Sequence, residues 1–501
     1  DFAARVNAIF GIDPLKVKRD FEAKEYGDYS LFESENEEGG KAIFIQGPGL
    51  YVRKPKELLK KVILGCVAPE IEIDDEEVFY LHRVKDGKDF YFIINPTEAS
   101  RDITVAIAGE GVPEAWDIEN GDISDINVYR YQDGKTVFSL SLSSYGSALI
   151  SIDYGRTAGM RIEETPLAIL EKNDEAVYGY GRDVQPRIVI NKNGEKKEII
   201  VPAKEQLEAI KFNDEWSFST DNPNVLIIDS WKTSIDEQDK GLELGYHGEA
   251  FNDADWMDFR MGAWEMQLPF ERSEKTYPVT LWHRAKFQAA FIPEDAKLII
   301  DGFKCSEYDI YINGMKLEVP AERSYLDAEM KAVAISKYMK QGLNTVAIRM
   351  VVNGKSDGLL DLIKICGTFA LLESEGGYFI APPAHAVRIG DWTKQGYPFF
   401  SGTGTYSQKV YIDGKYLEDK ILKLALSCGS DIASVTINGQ HVGVRMWKPY
   451  ELDITQYVRP GENEFVIAIT NTLINVLESV KKPSGLFGAE IIPYNVYKFN
   501  V

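Results

Sequence analysis

Cysteine and histidine are scarce in this 501-residue chain, with four of the first and five of the second. The cysteines, Cys66, Cys305, Cys366 and Cys428, stand far apart and form no CxxC pair. The histidines show neither HxH nor HExxH spacing. A zinc site or a redox dithiol needs such ligands close together, so no metal ligand is assigned. A structural calcium ion is compatible with the acidic loops, but no ordered loop pattern marks one. Long apolar runs are also missing: none approaches the roughly 18 residues of a membrane span. Positive charge is short as well. Fifty-six Lys and Arg face 78 Asp and Glu, a net charge of −22, and that average field repels a polyanion. Nucleic acid and membrane are therefore not expected partners, whereas a neutral glycan needs no net charge. No cofactor is expected: Gly47-Pro48-Gly49 lacks a Walker or dinucleotide pattern and reads as a turn. The chain opens on Asp1 and shows no signal-peptide pattern, which leaves the compartment open.

What is present is strand. Only residues 1–66 carry a helical component, with an apolar run at Ala42–Ile45 and a short amphipathic helix over 55–63, where Leu58, Leu59 and Val62 share a face. One strand cannot make a sheet, so 1–66 reads as the truncated end of an α/β domain. From residue 67 the pattern becomes short strands with turn signals. Val78–Arg83 alternates, Asp86-Gly87 turns, and Phe90–Ile94 returns, the signature of a hairpin. Further strands at 103–107, 128–131, 136–142 and 148–152, with turns at Asn120-Gly121 and Asp133-Gly134, complete a small β-sandwich over 67–155.

The second half contains a duplication. Tyr311-Ile312-Asn313-Gly314 returns as Thr436-Ile437-Asn438-Gly439, and Gly342-Leu343-Asn344 returns as Gly461-Glu462-Asn463. Ile335-Ser336-Lys337-Tyr338 matches Ile454-Thr455-Gln456-Tyr457, and Trp282–Phe287 aligns with Tyr406–Tyr411. Several pieces in one order mean two sandwiches of one build, assigned to 156–376 and 377–501. Asn-Gly closes a tight hairpin in each, because both residues tolerate positive φ.

These motifs resemble the galactose-binding-like jelly rolls of family 2 glycoside hydrolases, and the C-terminal regions of family 106 α-L-rhamnosidases. The resemblance rests on Gly390-Asp391-Trp392-Thr393 with Gly396–Gly402, on Val435–Gly439 with Val442-Gly443 and Pro449-Tyr450, and on Thr470-Asn471-Thr472 with Gly485–Gly488. Ala115-Trp116-Asp117 with Asn120-Gly121 resembles the small sandwich placed before such jelly rolls. The implied fold is mainly β: one small sandwich and two jelly rolls in tandem. The implied function is that of an accessory, carbohydrate-binding or substrate-positioning region, whose partners are a glycan and an upstream catalytic barrel. Such a barrel needs about 250 residues of alternating strand and helix, which this sequence lacks, so no catalytic residue is carried over.

Sugar binding calls for aromatic faces beside amide or charged groups. Trp256 and Trp447 lie on loop-like stretches and lead the candidates, followed by Trp231, Trp392 and Asn471. Two other readings compete. The chain could hydrolyse glycosides itself through a carboxylate pair, with Asp357 and Asp361, or Asp253, Asp255 and Asp258, as the residues to draw upon. Alternatively, it braces a barrel or a dimer and binds no sugar.

Overall fold

The computed structural model describes residues 10–11, 23–35, 41–47, 56–156, 158–272, 276–318 and 322–501. It is built almost wholly of antiparallel strands in tandem sandwiches, as the sequence pattern requires. In the N-terminal segment the expected strand is Lys41–Gln46, and it finds partners nearby. It pairs with Tyr29–Glu35, which pairs with Lys24–Tyr26. Phe32 packs with Ala42 and Phe44 on one face of this meander, and Leu31 is buried on the other. The expected helix is Lys56–Cys66; Pro55, Gly39-Gly40 and Pro48-Gly49 lie outside the described residues.

The small sandwich sets a four-stranded sheet against a five-stranded one. The hairpin Phe79–Lys85 to Lys88–Ile94 turns at Asp86 and Gly87, with φ of 53° and 77°. Asp133 and Gly134 do the same for the next hairpin, at 52° and 73°. Both are left-handed pairs that match the twist of the flanking strands. Alternate residues Tyr91, Ile93, Ile103, Val105 and Ile107 fill the core.

The next sandwich, over 224–381, packs a five-stranded sheet on a larger one whose centre is Val279–Ala289 paired with Gly342–Val352. The last sandwich is discontinuous in sequence. One of its sheets runs Ala386–Arg388, Glu215–Thr220, Thr403–Ile412, Gly461–Thr470, Ile432–Ile437, Gln440–Arg445. The other runs Ala168–Lys172, Ala176–Gly181, Gly488–Asn500, Lys420–Ser427, Glu451–Asp453. Ala168–Lys172, Ala176–Gly181 and Glu215–Thr220 therefore join strands after 386, with the 224–381 sandwich between them in the chain, while Arg187–Lys192 and Glu195–Ile200 pair with Met160–Glu164 in a separate three-stranded sheet. Tyr397-Pro398-Phe399-Phe400 stitches the two together. Tyr397 and Phe400 enter the last core, whereas Phe399 enters the preceding one, where Val476 joins it.

The duplication has a specific physical cause. Asn313 has φ of 51° and Asn438 has 52°, each followed by Gly at 79°. Asn313 Nδ2 donates to the Tyr338 carbonyl (2.9 Å) and to Asn344 Oδ1 (2.8 Å). Asn438 Nδ2 donates to the Tyr457 carbonyl (3.0 Å) and to Asn463 Oδ1 (2.8 Å). Asn344 and Asn463 are fully buried and close the same loop, accepting from the amides of Lys340 and Arg459. Each sandwich thus carries one copy of a two-asparagine clasp. The pairing also corrects one alignment. Ala289 faces Gly342 and Ile412 faces Gly461, so His283, not Trp282, is the counterpart of Tyr406. A one-residue slip moves a side chain to the other face of a strand: His283 points inward like Tyr406, while Trp282 points outward.

Candidate functional site

The strand Lys420–Ser427 alternates Leu422 and Leu424 into the core, which sends Lys423 and Ala425 to the outer face of its sheet. Beside it, the segment 446–450 links Gln440–Arg445 to Glu451–Asp453 and leans onto the small sandwich. The contact point is the turn 117–121 that the sequence marks with Asp117 and Asn120-Gly121. Asp117 accepts from the Glu119 amide (2.9 Å), which holds the turn in shape. Glu119 then reaches across, accepting from Arg445 Nη1 (2.7 Å) and the Met446 amide (2.8 Å). Arg445 Nε closes the loop on the Glu451 carbonyl at 2.9 Å. A charge-assisted hydrogen bond between two partly buried partners is a strong tether, because each holds a geometry the other needs.

This seam contains a groove of about 310 Å³ lined by Asp117, Glu119, Lys423, Arg445, Trp447, Lys448, Pro449 and Glu451. Trp447 is 38% exposed. Lys423 lies across the rings of Tyr180 and Tyr494, 5.2 and 5.5 Å from their centroids, and those rings meet edge-to-face at 5.7 Å. Burial works to lower the Lys423 pKa, but the Tyr180 hydroxyl and the Glu451 carboxylate, 3.7 Å away, hold it above the ordinary lysine range. The groove therefore joins an aromatic face to fixed donors and acceptors whose charges are largely paired.

The other sequence candidates are placed differently. Trp231 and Trp392 are 3% and 0% exposed, in the cores of the two jelly rolls, and present no ring face to a ligand. Asn471 is spent on the backbone: it accepts from the Gly402 amide and donates to the Phe400 carbonyl. Trp256 is partly buried against Tyr246 and Phe251, at centroid distances of 4.9 and 5.3 Å. Four of the candidate carboxylates are already engaged. Asp253 accepts from Arg284 and Lys286 (2.9 and 3.1 Å), Asp258 pairs with Lys232, and Asp357 pairs with Lys304. Asp361 accepts from the Leu362 amide. No group of three or more His, Cys, Asp or Glu among the described residues is arranged to hold a metal ion. No described helix is long and apolar enough to cross a membrane. Sequence reasoning missed Lys423, Glu119 and Arg445. The one available signal was the lysine at an outward position of the apolar strand Lys420–Ser427.

Comparison with known proteins bears on this same region. Residues 392–478, which include Trp447 and Lys423, match the family described as "Glycosyl hydrolases family 2, sugar binding domain". A putative beta-glucuronidase of Formosa agariphila is 22% identical over 481 residues, covering 85% of this chain and 39% of that protein. The chain thus spans about two-fifths of that relative's length. Among solved structures, the rhamnosidase from Novosphingobium sp. PP1Y aligns over 87% of this chain and 26% of its own, at 17% identity and a TM-score of 0.35. The β-glucuronidase from Ruminococcus gnavus aligns over 56% and 46%, at 12% identity and a TM-score of 0.26. The segment that carries the Trp447 groove is similar to the sugar binding domain of family 2 glycosyl hydrolases.

Proposed function

We propose that this chain is a carbohydrate-directed accessory region of a glycoside hydrolase, with the Trp447 groove as its saccharide contact. One observation carries the reading. The single tryptophan on an open loop of the matched segment lines a groove whose polar groups are already oriented by hydrogen bonds. A sugar ring stacks its C–H face on an indole and exchanges hydroxyl hydrogen bonds with charged and amide groups, which is the chemistry this groove offers. Pre-orientation lowers the ordering cost of binding. The turn 117–121 that completes the groove belongs to the small sandwich, so the proposal needs both sandwiches together. The parent enzyme is proposed to be α-L-rhamnosidase-like on the sequence motifs given above, with its catalytic carboxylates on another domain.

The purified chain, offered chromogenic aryl α-L-rhamnoside, β-glucuronide and β-galactoside, is expected to release no chromophore. Turnover that disappears on changing one carboxylate would overturn the accessory reading and place an active site in this chain.

A further inference from the structure

A second groove, of about 480 Å³, lies on the same seam as the Trp447 groove and shares Lys448, Pro449 and Glu451 with it. Its walls differ in character. Ser100, Ser143 and Ser144 come from the small sandwich, and Ala425 and Ser427 from the strand that carries Lys423. Lys448, which lines both grooves, donates from Nζ to Ser144 Oγ at 3.3 Å, a long contact between exposed groups. From Lys423 in the first groove to Ser427 in the second the strand advances about 13 Å, longer than a single pyranose ring. Each groove alone is at the small end of the roughly 300–1,000 Å³ range of small-ligand sites.

Charge narrows the ligand class. The two grooves together present Asp117, Glu119, Glu98 and Glu451 against Lys423, Arg445 and Lys448. Glu119 is neutralised by Arg445, and Glu451 lies 3.7 Å from Lys423. What remains is two carboxylates and one ammonium, a poor field for a polyanion and no obstacle to neutral hydroxyls. The serine wall supplies hydroxyls that both donate and accept, as sugar hydroxyls do.

We infer that the seam between the small sandwich and the last jelly roll is one extended cleft for a neutral oligosaccharide of three or more units, running from Trp447 past Lys448 to Ser427. This inference rests on the saccharide reading of the Trp447 groove and adds the length and charge of the ligand. Its test uses the whole chain and two sets of probes: neutral gluco-, galacto-, xylo- and arabino-oligosaccharides of one to six units, and an oligogalacturonate series. Affinity is read by calorimetric titration. Within the neutral series that binds, affinity is expected to rise about tenfold or more between one and four units, and to exceed that of any oligogalacturonate. Ser427→Trp fills the second groove from an exposed position, and is expected to remove the gain with length while leaving the shortest ligand and the thermal midpoint unchanged. Equal affinity for one and four units would overturn the extended cleft but leave the Trp447 contact standing. Preference for oligogalacturonate would overturn the neutral class. Failure of every saccharide to bind would remove the saccharide reading and this inference with it.

Discussion

The two jelly rolls share a clasp and differ on their outer faces. In the 224–381 sandwich the outward side chains of Val279–Ala289 include Trp282 and Arg284, which are 0% and 1% exposed. A lid made by residues 237–256 seals them. Tyr246 meets Trp282 edge to face, and Phe251 and Trp256 pack on Tyr246 and on each other. Asp236 accepts from the Gly241 amide and from Trp282 Nε1. Arg284 donates to Asp253 and to the carbonyls of Tyr246 and Phe251. In the last sandwich the counterpart strand is Thr403–Ile412, whose outward Thr405 and Ser407 are partly exposed and whose Lys409 is exposed, with no such lid over them; Trp447 stands at the opposite sheet, beside Lys423. One build therefore yields a sealed face and an open one, and the difference lies in a loop. Function follows loops placed on a rigid frame more than the frame itself.

The largest effect expected from breaking this contrast is at the lid. Arg284→Ala would leave Asp253 buried without its main partner, and losing one partner of a buried ion pair costs about 3–5 kcal/mol. Urea unfolding followed by intrinsic fluorescence should show that loss. A change below about 1 kcal/mol would mean that the lid is not sealed by this pair.

Acid should separate the two sandwiches next. His283 is buried, and burial pulls its pKa from the ordinary 6.5 down to about 4. The folded state keeps it neutral while the unfolded chain takes up a proton between those values. Its contribution is present above pH 6.5 and is lost as pH falls toward 4, on the order of 3 kcal/mol. Asp431, in the last sandwich, runs the other way. Burial raises its carboxyl from 3.8 to about 6, although the Gly485 amide and Lys482 oppose the shift. The neutral acid suits the fold, so its contribution is present below pH 3.8 and is lost as pH rises through 6. Amide exchange at pH 4.5 against pH 7 should therefore loosen Leu281–Ala285 relative to Val435–Ile437, and Asp431→Asn should flatten the response of the last sandwich alone.

The clasp offers a matched pair of smaller effects. Asn344→Ala and Asn463→Ala each strand buried backbone groups, at about 1–3 kcal/mol apiece. Equal losses in denaturant titrations would establish the two clasps as energetic equivalents, and a large inequality would break that equivalence. The smallest effect on stability belongs to Trp447→Ala, expected within about 0.5 kcal/mol of the parent because the side chain is on the surface. The same change is expected to weaken saccharide binding about tenfold, the scale of an interface anchor.

The repeat was legible because Asn-Gly and Gly-x-Asn are dictated by backbone: positive φ at the turn and a buried amide closing the loop. Strand positions in the small sandwich were legible from alternation and Asp-Gly turns. Ile71–Ile73 and Ile123–Asp125 were not, being too short for a period to register. The membership of Ala176–Gly181 and Glu215–Thr220 in the last sandwich was not legible either, since Ser217 faces Ser407 and Ala176 faces Asn500, and partner choice over such separations leaves no local mark. At the site, Trp447 stood out as an aromatic on a loop. Its neighbours Glu119 and Arg445 are 326 residues apart and ordinary in type, so only folding brings them together. Trp231 and Trp392 show the converse: a tryptophan near a turn reads like a binding residue until its burial is known.

The most direct test labels the eight tryptophan indoles with ¹⁵N and titrates the chain with the neutral oligosaccharides. The account predicts that the Trp447 resonance moves in a saturable way while those of Trp231, Trp282 and Trp392 stay in place. A saturable shift confined to another indole, or none at any concentration, would contradict it.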